Sequence, residues 1–157
     1  MPPSERGIDE FMRRPERIIN KVGWAVMHVL PTDEDPDTAT SFAYTVGLTP
    51  HGYPELLIAG LPPDLAHRLL NDLAGRSYDK AERFSHGQRI SDLIVGYDAI
   101  IVEGPPIDDL SPVVAVVRYG PDRVRLQQVT WPDPRGRFPW EAGYDDDSHP
   151  QPVIGQP

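Results

Sequence analysis

A chain of 157 residues suits one ordinary domain with a real core and is too short for two comfortable ones. Its apolar share of 39% favours a folded globule, and the absence of cysteine excludes disulfide scaffolds, thiolate metal sites and cysteine nucleophiles. Acidic residues outnumber basic ones 24 to 15, and the resulting charge of −9 argues against nucleic-acid binding, which runs on phosphate neutralisation. No apolar run is long enough for a membrane span, and the N-terminus lacks the apolar core of an export signal. The expectation is a soluble, acidic, cytoplasmic protein. Proline, at 19 residues, predicts short elements joined by stiff loops, because each proline fixes its own φ and biases its predecessor toward extended backbone.

Along the chain, Ile8, Phe11, Met12, Pro15, Ile18, Ile19 and Val22 recur at three- and four-residue steps. That is a helical stripe, which Pro15 should break or kink. Residues 22–30 read as a strand, apolar on both faces and therefore buried. Residues 31–40 form an acidic, turn-rich loop. Over residues 41–48, Phe42, Tyr44, Val46 and Leu48 alternate with Ala43, Thr45 and Gly47, a second strand. A turn over 49–54 and a third strand over 55–61 complete a hairpin.

Pro62 and Pro63 then open a helix, Asp64 favours its positive end, and Gly75 is placed to close it. Leu61, Leu65, Leu69 and Leu73 form its stripe, with Ala66, Leu70 and Ala74 beside them. Residues 76–90 are polar and show no period. Short strands follow over 90–95 and 97–103, with Gly96 as a bulge or turn. Residues 111–120 are in conflict: the valine run favours a strand, whereas Ser111-Pro112 and Gly120 are helix boundaries. The boundaries are taken as decisive, giving a helix that presents Val113, Val116 and Val117 on one face. A last strand covers 124–131, and the Pro-rich remainder is irregular.

The fold expected is therefore α+β. A mostly antiparallel sheet of about five strands carries two or three helices on one face and an irregular Pro-rich C-terminal wrap. One domain spans 1–157, with its core at 17–144 and a flexible end at 145–157. Within that wrap, Phe138, Trp140 and Tyr144 should dock on the domain, with Trp140 largely buried and Asp145, Asp146 and Asp147 in solvent.

No motif for chemistry stands out. The five histidines His28, His51, His67, His86 and His149 show no close spacing in sequence. His67, with Asp64 and Asn71 nearby on the helix, is a poor ligand set, so no metal is expected. There is no nucleophile elbow and no phosphate loop. Two clusters remain as candidate ligand-binding residues. The first is Tyr44, Thr45, His51 and Glu55 on the 41–61 hairpin. Glu55 and His51 could act as an acid/base pair, but a structural role for Glu55 is preferred, bonded to an arginine such as Arg89 or to backbone N–H groups. The second is Gln128, Trp131, Asp133, Arg135, Arg137, Phe138 and Trp140. These could cradle an anionic or planar ligand, although aromatic anchors with an Asx turn at Asp133 are the preferred account.

Several segments carry a resemblance when taken together. They are Gly23-Trp24, Phe42-Ala43-Tyr44-Thr45-Val46-Gly47-Leu48, Pro54-Glu55-Leu56, Gly60-Leu61, Leu70-Asn71, and Gln128 through Trp140 with its Trp-Pro-Asp and Gly-Arg-Phe-Pro-Trp motifs. In this order they resemble the bacterial family of domains of unknown function numbered 4262, over roughly residues 17–154. That family often has His directly before Pro-Glu, where this chain has Tyr53, with His51 two residues earlier. The resemblance implies no established activity. More distantly, residues 41–61 are similar to suppressor-of-fused-like domains, which bind proteins, and to flavin-binding split barrels. The functional expectation is a binding or interaction module with a protein or small-molecule partner, with a homodimer left open and no cofactor implied. The alternative is a small enzyme or flavin-type protein using the 41–61 hairpin and the 128–140 segment as opposite pocket walls.

Overall fold

The structure is a computed structural model that describes residues 15–35 and 39–157. Ile8, Phe11 and Met12 of the expected N-terminal stripe, and 36–38 of the acidic loop, lie outside the described residues. Helix α1 occupies residues 15–22, and Pro15 stands at its first described position. Strands β1 (Ala25–Val29), β2 (Phe42–Val46) and β3 (Glu55–Ala59) follow, with a 3-10 turn at Thr49–His51 between β2 and β3. Helix α2 (Pro63–Lys80), strands β4 (Arg89–Ile94) and β5 (Tyr97–Glu103), helix α3 (Val113–Tyr119) and strand β6 (Leu126–Thr130) complete the order.

Among the described residues, six strands form one sheet in the order β1-β2-β3-β6-β5-β4. Neighbours run antiparallel except β3 and β6, which pair in parallel from Glu55 opposite Leu126. The fold is α+β, as expected, with a six-stranded mixed sheet in place of about five strands. The β4–β5 hairpin is the pair of short strands expected over 90–95 and 97–103, and it turns at Gly96 with φ +84°.

Expected placement of the helices on one face does not hold. Central strand β3 is Glu-Leu-Leu-Ile-Ala and fully buried, so both of its faces need cover. On one face, Leu69, Leu70, Leu73 and Ala74 of α2 pack on Ala43, Leu56, Ile58 and Val129. On the other, Val114 and Ala115 of α3, with Leu110 and Ile154, cover Tyr44, Leu57, Ala59 and Leu126. Strand β1 also departs from expectation. It is a sheet edge, with Val29 exposed rather than buried on both sides.

Two helix details differ as well. Helix α2 runs through Gly75 and ends where Ala81 adopts a left-handed φ of +54° and donates its N–H to Arg76 O. Arg76 bonds Asp72 one turn back at 2.8 Å, and Ser77 is buried, so the polar stretch after Gly75 continues the helix. Helix α3 is a helix, as its boundaries predicted, but it buries Val114 and Ala115 while Val113 and Val117 are 56% and 67% exposed. Val114 and Ala115 pack in one cluster with Tyr44, Leu57, Leu110 and Leu126, and the Val114 N–H donates to the Tyr44 hydroxyl at 3.0 Å.

Residues 131–157 contain neither helix nor strand. Phe138 is buried, Trp140 is half-buried and stacked on it at 5.2 Å, and Asp145, Asp146 and Asp147 are exposed. Within the end expected to be flexible, 145–157, Gln151 and Ile154 are buried.

The approach of β2 to the segment before β1 is the tightest glycine contact in the sheet. Gly47 has φ +127°, and a Cβ there would stand 2.5 Å from Gly23 O and 2.8 Å from Trp24 Cα. Gly47→Ala should therefore lower stability by about 3 kcal/mol, through left-handed strain and backbone overlap together. The shift in the urea midpoint measures it.

Candidate functional site

Glu55 opens β3 and is fully buried. Its carboxylate meets no arginine among the described residues. Oε1 accepts from the Thr45 hydroxyl (2.9 Å) and the Leu48 N–H (3.2 Å), and Oε2 accepts from the Thr49 N–H (2.7 Å) and the Thr49 hydroxyl. Thr45 Oγ1 also accepts the Leu56 N–H at 2.8 Å. Burial pushes the Glu55 carboxyl above its usual range, with the bonds from Thr49, Leu48 and Thr45 opposing. Of the two structural partners considered, backbone N–H groups are the ones found. Arg89 instead pairs with Asp98 and lies over the Phe138 ring.

The other hairpin residues go separate ways. The Tyr44 hydroxyl is taken by Val114, and burial raises its pKa. His51 is exposed and sets its ring edge-on to Tyr78 at 5.0 Å, not to Glu55.

The second cluster is bonded internally. The Trp131 indole N–H donates to Ala59 O at 2.8 Å, and the Gln151 side chain bonds both the N–H and the carbonyl of Trp131. Gln128 is likewise taken by the chain end: Nε2 donates to Pro152 O, and Oε1 accepts the Ile154 N–H, each at 2.8 Å. Asp133 accepts N–H groups from Arg135, Arg137 and Asp145. Burial alone would raise the Asp133 carboxyl, yet those N–H groups and the Arg137 charge hold it below its usual value. Arg137 Nη1 donates to Gly143 O at 3.1 Å, and Arg135 is exposed.

The two clusters approach only at Tyr44 and Gln128, which flank Leu57 in the β2–β3–β6 register. In the parallel β3–β6 pair Glu55 lies beside Leu126, whereas Trp131 reaches Ala59 at the far end. At roughly 3.3 Å per residue Glu55 and Trp131 are about 16 Å apart along the strands.

Of the histidines, His28 Nε2 and His67 Nδ1 are 3.2 Å apart in space, from β1 and α2. Burial and then His67 lower the His28 pKa, and Asp64 opposes them. No group of three potential metal ligands is assembled among the described residues. His86 Nδ1 accepts the Glu103 N–H, and His149 meets the Trp131 ring edge-on.

A cleft that the sequence did not single out lies beside the Glu55 turn. It holds about 190 Å³ and is lined by Tyr53, Leu56, Arg83, Glu103, Arg125 and Gln127, among others. Arg83 Nη1 and Arg125 Nη2 both donate to Gly52 O, at 2.9 and 3.2 Å. The Arg83 guanidinium also lies over the Tyr53 ring, 4.5 Å from its centre. Among the described residues neither arginine pairs with a carboxylate. Sequence reasoning left Arg83 inside the unperiodic stretch 76–90. The available signal was the pair Arg125 and Gln127, polar residues two apart at the start of the last expected strand.

With both sheet faces covered and the Glu55 carboxylate sealed inside the hairpin, the protein is an α+β domain with an arginine-lined cleft beside the hairpin turn. The chain belongs to the family described as a domain of unknown function, DUF4262, whose model matches residues 18–145. The match takes in all six strands and every named residue of the cleft. No curated protein matches the chain. No helix among the described residues is long and apolar enough to cross a membrane.

Proposed function

We propose that this domain is a binding module that takes a small anionic ligand in the cleft beside Tyr53. The observation that carries the reading is the convergence of Arg83 and Arg125 on one carbonyl, that of Gly52, with no carboxylate between them. In a chain of charge −9, two guanidiniums held this close without an acidic partner repel each other, and an anion would relieve that repulsion. Each spends one N–H on Gly52 and keeps others for bidentate contact with a carboxylate or phosphate. Tyr53 and Gly52 already fix Arg83, so little side-chain entropy remains to be lost on binding. The cleft is smaller than the roughly 300–1,000 Å³ of drug-sized sites, which suits a compact anion. The alternative with two pocket walls loses support because the polar groups of its walls are already bonded within the protein, Glu55 by Thr45, Leu48 and Thr49, and Gln128 and Trp131 by the chain end.

Inorganic phosphate, titrated at low ionic strength and followed by amide and arginine Nε resonances, should shift Gly52, Tyr53, Arg83 and Arg125. Arg83→Ala and Arg125→Ala should each weaken binding about tenfold. Shifts centred elsewhere, or affinity unchanged in both variants, would refute the assignment.

A further inference from the structure

We infer that the ligand of this cleft is amphoteric, with an anionic and a cationic group a few bonds apart, as in a free amino acid. The inference rests on the anion reading above and adds the opposite pole. Arg125, the residue just before β6, and Gln127 within β6 stand two residues apart, and both line this cleft. Gln127 pairs across the ladder with Glu103 of β5, which places Glu103 diagonally from Arg125, about 7–8 Å away in an antiparallel sheet. These opposite charges do not join.

Each is held instead by a different part of the protein. Arg125 turns to Gly52 O at 3.2 Å, alongside Arg83. Glu103 Oε1 accepts from Gln127 Nε2 at 3.1 Å, and that buried amide is itself anchored by donating to Phe84 O at 2.8 Å. Glu103 Oε2 has no hydrogen-bond partner among the described residues. The cleft therefore has a cationic pole of two guanidiniums and an anionic pole of one positioned carboxylate. Pro54, Leu56 and Phe84 supply apolar lining. A carboxylate on the arginines with an ammonium on Glu103 satisfies both poles at once. A simple anion satisfies one and leaves the other facing it with like charge.

The test uses the full chain and compares two amino acids with their desamino counterparts by calorimetry: L-leucine against 4-methylpentanoate, and glycine against acetate. At least one amino acid should bind about tenfold tighter than its counterpart. Glu103→Gln keeps an acceptor for Gln127 and should erase that preference without weakening the desamino anion. Equal affinity within both pairs, or a preference that survives Glu103→Gln, overturns the amphoteric ligand. If phosphate binding still depends on Arg83 and Arg125, that outcome leaves the anion reading standing. If phosphate also fails to bind there, both readings fall.

Discussion

Glu55→Ala should destabilise the domain by about 5 kcal/mol, enough to leave little folded protein if total stability sits in the ordinary 5–15 kcal/mol range. The carboxylate receives four hydrogen bonds in a site without solvent exposure. Alanine removes all four acceptor contacts. The Thr45 and Thr49 hydroxyls can turn toward other oxygens, but the Leu48 and Thr49 N–H groups point where the backbone aims them. Each buried donor left without a partner costs about 1–3 kcal/mol, and the vacated volume adds to that. Glu55→Gln keeps one acceptor oxygen and presents an NH₂ to donors, so about 2–3 kcal/mol is expected. Urea unfolding of the three proteins orders them.

The pH dependence of that difference reports which force dominates at Glu55. Burial raises the folded-state pKa above the ordinary 4.5. Below 4.5 both folded and unfolded chains are protonated there, and the contribution to stability is fully present. As pH rises, the unfolded chain ionises first, and the contribution falls until the folded pKa is passed. Glutamine does not titrate. The advantage of wild type over Glu55→Gln should therefore narrow as pH climbs from about 4.5 and then level off. An advantage that widens with pH would show that the four donors outweigh burial.

Truncation before Pro150 should cost about 5 kcal/mol and lower Tm by roughly 10–20 °C, contrary to what the irregular sequence of that segment suggests. The residues removed include Gln151, which bonds both the N–H and the carbonyl of Trp131. They also include the Pro152 carbonyl and the Ile154 N–H, which together satisfy the fully buried Gln128 amide. Losing Ile154 exposes apolar surface on the α3 face, worth about 1.5–3 kcal/mol, and the stranded Gln128 and Trp131 groups add about 1–3 kcal/mol each. Gly60 shows how closely this segment is seated, since a Cβ there would lie 2.6 Å from Pro150 O. As a control, changing Asp145, Asp146 and Asp147 to Asn should leave Tm nearly unchanged, because all three are exposed. A truncated chain that melts with the full chain would show that the end is not part of the core.

Much of the fold is local and was legible. The two-residue alternation of 41–48, the leucine stripe of α2 and the Pro and Gly boundaries of α3 are set by backbone geometry within one segment, and each produced the element it implied. Burial of Glu55 was legible for a similar reason, since Leu56-Leu57-Ile58-Ala59 follows it directly. Solvent exposure of Asp145, Asp146 and Asp147 followed from charge alone.

Other features depend on partners far away in sequence. The buried face of α3 is set by contacts of Val114 and Ala115 with Tyr44, Leu57 and Leu126, distant in sequence, and no valine pattern inside the helix encodes it. The single parallel register of β3 on β6 puts Glu55 and Trp131 at opposite ends of that pair. Gly52, Arg83, Glu103 and Arg125 meet only because α2 ends at Ala81 and the β5–β6 ladder returns to the hairpin turn. Thus the sequence by itself determined most of the elements and the family, because period and polarity act within a segment. Strand register and long-range hydrogen bonds decided which polar groups share a cleft, because those contacts exist only once distant segments have packed.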